Sequence, residues 1–199
     1  MALPDDPAER HRAVAAGFTE RVTDWDAQSP VAEWRTRDVV RHLVEWFPSF
    51  LEHGAGVTLA HGPDADEDPV AAWQVHSDAV QELLDDPATA EKVLTNRHLG
   101  EVPLPEAVDR FYTNDIFMHT WDLARSAGLD DRLDADSCAD MLAGMEPMAD
   151  VLAASGQYGP RVPVPDDADA QTRLLGLIGR DPFWAPRGPS GSASAAGSR

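Results

Sequence analysis

The sequence is short of cysteine, of positive charge and of long apolar runs, and each shortage removes a class of function. Cys138 is the sole cysteine among 199 residues, so no intrachain disulfide can form. That fits a reducing cytoplasm. Cys138 stands at the expected start of a helix with no histidine nearby, so a plain thiol is expected there and not a nucleophile. Lysine and arginine number 16 against 35 aspartates and glutamates, giving a net charge of −19 and a pI near 4.5. Nucleic acid is itself a polyanion and is not an expected partner. The acidic excess reads as solubility, and much of it falls in loops and helix starts (64–68, 130–136, 166–169), where carboxylates also cap. No apolar run approaches bilayer length and no basic-then-apolar N-terminal signal is present, so no membrane partner is expected and the expected location is cytoplasmic. Internal repeats, phosphate-cradling glycine loops and a convincing set of strands are also missing.

What remains is helical grammar. The length suits one domain, and a 43% hydrophobic content with six Trp is enough for a core. Asp6, Pro7 and Glu9 form a helix start, and Val14, Phe18, Val22 and Trp25 follow at helical spacing, predicting a helix from Pro7 to about Trp25. Thr36 is the expected cap of a second helix with the stripe Val39, His42, Leu43, Trp46 and Phe50, which Pro48 should kink or end. A third should open at Asp68-Pro69, turn Val70, Trp73, Val80 and Leu84 inward, and stop near Asp86-Pro87. Residues 91–105 have no helical period and leave room for a short extended piece. The fourth helix is expected from near Pro105 to just before Gly128. Asp134 or Asp136 should cap a fifth, with Met141, Leu142, Met145, Met148 and Leu152 recurring and Pro147 interrupting. After a proline-spaced connector (156–165), a short helix over about 168–178 should pack Leu174, Leu175 and Ile178. The sum is an all-α bundle over residues 1–184 and a Gly/Ser/Ala/Pro tail, 185–199, expected to be disordered.

Chemistry concentrates in the fourth helix. Asp115 and His119 are four residues apart, one turn along the same face, and that face also carries Tyr112, Ile116 and Leu123. A carboxylate and an imidazole aimed at a core are costly unless something pairs them, and a divalent metal does so. The i, i+4 spacing is also how helices present two ligands to one ion. His42, inside the apolar stripe of the second helix, supplies the third member. Two nitrogens and one carboxylate suit Zn²⁺, with Ni, Mn or Fe fitting the same donors. The residues alone leave other roles open: a lone histidine on an apolar stripe is more often a hydrogen-bonded core group, and Asp115 with His119 makes a plain hydrogen-bonded pair about as readily as a metal site.

The stretch Trp34–Val44, containing His42, followed by Asp115–Gly128, containing His119, resembles the metal-binding domain of mycothiol-dependent maleylpyruvate isomerases, within the DinB-like superfamily of four-helix bundles. Residues 162–168 and 173–182 look like the closing segment of an actinobacterial single-domain subgroup. The resemblance runs from the first helix to Pro182. It implies a DinB-like four-helix bundle with extra short C-terminal helices. It also implies a divalent metal, usually zinc, held by His42, by Asp115 where the family has Glu, and by His119. Mycothiol is the implied thiol co-substrate, with a small-molecule thiol or electrophile as partner, and the implied chemistry is thiol transfer or isomerisation. Those isomerases carry a second, C-terminal domain that contributes to activity, and the sequence ends before it.

Weaker candidates are Asp122, placed to orient the His119 ring or a water, Glu45 from the second helix, and Tyr112 as a donor; each has a plainer role as packing or solvated surface. Two other expectations stand beside the enzyme: a non-catalytic metal-binding module acting through a partner or as a homodimer, and a helical bundle with no metal.

Overall fold

The structure, a computed structural model, describes residues 2–21, 24–97 and 100–186. It is largely helical, with one small antiparallel hairpin among the described residues.

Helix α1 spans Pro7–Thr19, and the Asp6 carboxylate accepts from the Ala8 and Glu9 amides, both at 3.0 Å. It ends well before Trp25. Arg21 folds its guanidinium back onto the Gly17 carbonyl at 2.7 Å. The chain then turns so that Trp25 offers its carbonyl to the Arg37 amide at 3.2 Å. Of the expected α1 stripe, Val22 lies outside the described residues.

Helix α2 spans Thr36–Ala55. Thr36 is not its cap. The Arg35 amide donates to Asp38 at 2.7 Å, while the Thr36 hydroxyl reaches back to the Asp24 carbonyl. The expected stripe merged two faces. Val39, Val40, Leu43, Phe47 and Leu51 are wholly buried, whereas His42, Trp46 and Phe50 are only half-buried on a flank. Pro48 does not end the helix, because Phe47 and Leu51 lock it into the core on either side of the lost N–H.

Helix α3 spans Pro69–Asp85, capped by Asp68 through the Ala71 amide at 3.0 Å. It buries Ala72, Trp73, His76, Ala79 and Val80; Val70, expected inward, is exposed. A 3₁₀ turn, Pro87–Glu91, leads into β1 (Val93–Asn96) and β2 (Gly100–Pro103), paired antiparallel from Val93↔Pro103 to Asn96↔Gly100. Buried Leu94 sits hard against Gly54 of α2, where a Cβ would lie 2.8 Å from its side chain.

From Leu104 the chain stays helical to Ala127: α4 (Leu104–Ala107), a π-helical stretch (Val108–Thr113) and α5 (Asn114–Ala127), closed by Gly128 at φ 66°. Helix α1 packs on α3 and α5, and α2 packs on the same two, so the four surround one core.

Asp134 caps α6 (Ala135–Met145) through the Ser137 amide at 3.0 Å. Pro147 converts the next residues to a 3₁₀ turn (Glu146–Met148) before α7 (Ala149–Ser155). The expected period across this break fails: Cys138 and Leu142 are buried, but Met148 is exposed and α7 buries nothing. Helix α8 (Ala170–Leu177), capped by Asp169, packs on α6 and buries Leu174 and Leu175, with Ile178 just beyond it, as expected.

The connector before α8 crosses the residues after it at two glycines. Gly179 has φ 79°, and a Cβ there would stand 2.5 Å from Gly159 backbone atoms. Gly179→Ala is therefore expected to cost about 2 kcal/mol or more of unfolding free energy. Urea denaturation checks this, with Gly144→Ala, whose added Cβ meets nothing within 4 Å, as the control. Of the expected tail, residues 187–199 lie outside the described residues. No helix among the described residues is long and apolar enough to cross a membrane.

Candidate metal centre

Helices α2 and α5, adjacent in the bundle, bring the three expected residues together. One ligand atom from each of His42, Asp115 and His119 lies within 4.8 Å of the others. His42 Nε2 is 3.1 Å from Asp115 Oδ2, and His119 Nε2 is 3.5 Å from Asp115 Oδ1. A tetrahedral ion with ~2.0–2.2 Å bonds separates its ligand atoms by about 3.3–3.6 Å. The two histidine–carboxylate distances are close to ligand spacing, though they run to different Asp115 oxygens; the three atoms are held only within 4.8 Å of one another, so the side chains would draw in round a shared ion. It has an open side: the His42 side chain keeps 33% of its surface exposed, against 5% for His119.

Proton positions follow from the neighbours. His119 Nδ1 lies 2.8 Å from Asp122 Oδ2, and an ionised carboxylate only accepts, so Nδ1 carries the hydrogen. In a neutral ring that leaves a lone pair on Nε2, facing the Asp115 carboxylate. Two acceptors face one another there, an arrangement that a cation between them, a metal ion or a proton, relieves. Asp122 is 1% exposed and is met by Arg180 through Nε at 3.0 Å and NH2 at 3.1 Å. Burial works to raise both carboxyls. For Asp122 the Arg180 guanidinium and the His119 hydrogen bond outweigh it, and that carboxyl ends below the usual range; the Asp115 carboxyl is lowered to the extent that His119 and His42 carry positive charge.

Aromatic residues frame the cluster. Trp46 Nε1 donates to Asp115 Oδ2 at 3.0 Å. The Trp34 ring stacks on His119 at 6.0 Å and lies 5.3 Å from His42. The preceding residue, Glu33, has a φ of 67°, the one positive value at a non-glycine among the described residues. Such strain concentrates at functional sites. A cavity of about 320 Å³ adjoins Trp34, bounded also by Asp26, Gln28, Glu33 and Arg35. A second cavity, about 220 Å³, reaches Glu45, His61 and His76 but none of the three clustered residues.

No family model, curated protein or solved structure matches the chain. The metal reading therefore rests on the geometry, and the thiol chemistry on the sequence resemblance alone.

Of the weaker candidates, Asp122 joins the cluster through His119. Glu45 is exposed and lines the other cavity. Tyr112 is core: wholly buried, stacked on Phe47 at 4.0 Å, its hydroxyl without a hydrogen-bond partner among the described residues. Cys138 is buried, which pushes its thiol up to about 12 and removes it as a nucleophile. Sequence reasoning missed Arg180 and gave Trp34 no role, and it placed Trp46 in the apolar stripe as packing. No pattern joins an arginine to an aspartate 58 residues earlier. Indole donors look the same in sequence whether they serve a carboxylate or a core.

Proposed function

We propose that this protein binds one divalent metal, most simply zinc, through His42, Asp115 and His119, and is a thiol transferase or isomerase-like enzyme of the mycothiol-dependent, DinB-like kind. One observation carries the metal: the lone pair of His119 Nε2 is directed at a carboxylate oxygen 3.5 Å away, with Nδ1 committed to Asp122. A divalent cation there supplies the charge that lowers the pKa of a thiol or water toward neutrality. The chain's own residues do the rest. Asp122 fixes the His119 ring, Trp46 holds one Asp115 oxygen, and Trp34 covers both imidazoles while leaving the His42 side open for a small thiol and its electrophile. The reading implies a cytoplasmic protein.

Elemental analysis of tag-free protein should find about one zinc-like ion per chain. Metal-loaded protein incubated with mycothiol or another small thiol and an electrophile should then turn over. Metal without turnover favours the second reading, a non-catalytic metal-binding module working through a partner or a homodimer. One observation favours that alternative: α7 buries no residue and exposes Val151 beside Met148.

A further inference from the structure

Arg180 lies beyond α8, outside the two helices that supply the clustered residues, yet its guanidinium is committed to them. Nε is 3.0 and 3.3 Å from the two Asp122 oxygens, NH2 is 3.1 Å from Oδ2, and NH1 donates to the Ile178 carbonyl at 3.4 Å. The backbone holds it in place. Its amide donates to the Leu175 carbonyl at 2.8 Å, and the preceding Gly179 is pressed against Gly159. The connector supports the same segment from the other side: the Val162 amide donates to the Gly176 carbonyl at 2.9 Å, and Gly176 has no room for a Cβ, which would meet the Val162 carbonyl at 2.7 Å. Three glycines thus let two backbone stretches lie together and deliver one arginine to one buried carboxylate.

We propose that Arg180 is a positioning residue for the candidate metal centre. It holds the Asp122 carboxylate in place, Asp122 holds the His119 ring through Nδ1, and Nε2 is thereby kept facing Asp115. An aspartate behind a ligating histidine tunes a metal site in this way, and losing such support costs 10–100-fold in affinity. The C-terminal segment through Arg180 is then a working part of the site. The tautomer step stands without metal; the affinity step rests on the metal-binding reading above.

The test uses the full chain with ¹⁵N-labelled histidine. In metal-free wild type, long-range ¹H–¹⁵N correlation should show His119 protonated at Nδ1 and bare at Nε2. Arg180→Ala should mix the tautomers and weaken Zn²⁺ binding, read by chelator competition, about 10–100-fold. Arg180→Lys, which keeps the charge, should restore the Nδ1–H form and most of the affinity. An Nε2–H ring in wild type overturns the proposal, and that observation needs no variant to fold. So does an Arg180→Ala protein with unchanged tautomer and affinity. If the tautomer responds but wild type binds no Zn²⁺, the metal reading fails and the positioning role of Arg180 survives.

Discussion

His119→Gln is expected to abolish stoichiometric zinc binding while leaving the bundle folded. The substitution removes the ligand nitrogen but keeps an N–H donor near Asp122, whose other partner, Arg180, is unchanged. His119→Ala removes the nitrogen and the donor together and should abolish binding as well, at a greater cost in stability because a buried carboxylate loses a partner. His119 is the most enclosed of the three clustered side chains, so no water-exposed neighbour replaces it. A ligand that binds only the folded state stabilises it by about 4 kcal/mol at a free concentration 1,000 times its dissociation constant. Excess zinc should therefore raise the melting temperature of wild type clearly and that of either variant not at all. Equilibrium dialysis with elemental analysis gives the stoichiometry directly. A variant retaining one ion per chain removes His119 from the ligand set.

Acidification is expected to destabilise the fold well above the pH at which carboxylates titrate. His11 of α1 and His76 of α3 are buried, each with an Nε2 atom that finds no partner among the described residues. Burial is the main cause that lowers both to about 4 from an ordinary 6.5; positive charge on Arg12 works the same way on His11, and on His11 and His61 for His76. Below pH 6.5 the unfolded chain binds protons that the folded chain does not. Stability is thus fully present above about 6.5 and is lost as the pH falls toward 4. Two such groups give a slope of up to about 2.7 kcal/mol per pH unit, a large share of the 5–15 kcal/mol typical of a domain. Urea titrations at several pH values between 7.5 and 5 measure it. Replacing both histidines by asparagine should flatten the slope over this interval, whatever the variant's stability at neutral pH. A wild-type stability that is level from pH 7 to 5 contradicts the assignment.

Helix positions were legible because caps and apolar spacing are local. Asp6 and Asp68 are expected helix starts, Asp134 is one of two candidates with Asp136, and each of the three accepts from amides in the first turn in the structure. Gly128 likewise ends α5 where expected. The misreadings arose where tertiary contacts decide. Trp25 has helical spacing from Phe18, but its backbone is taken up by Arg37 of the next helix. His42, Trp46 and Phe50 share a stripe with Leu43, yet the fold turns that flank toward the cluster and leaves the core to Val40, Phe47 and Leu51. The hairpin was legible only as room for an extended piece in residues 91–105, because its strands are four residues each, with one buried side chain apiece. The cluster itself was half legible. Asp115 and His119 follow from i, i+4 spacing, whereas His42 depends on α2 lying beside α5, and Arg180 on a crossing of glycines far along the chain.

Two imidazoles and a carboxylate sharing one cation is the claim on which the rest depends, and X-ray absorption of the zinc-loaded, tag-free protein tests it most directly. The account predicts one zinc per chain with two imidazole nitrogens at about 2.0–2.1 Å and the remaining ligands oxygen at about 2.0–2.2 Å. The contrary result is a spectrum without imidazole scattering, or a protein that retains no zinc after dialysis. The acid groups and His119 would then balance Arg180 as a metal-free charge network.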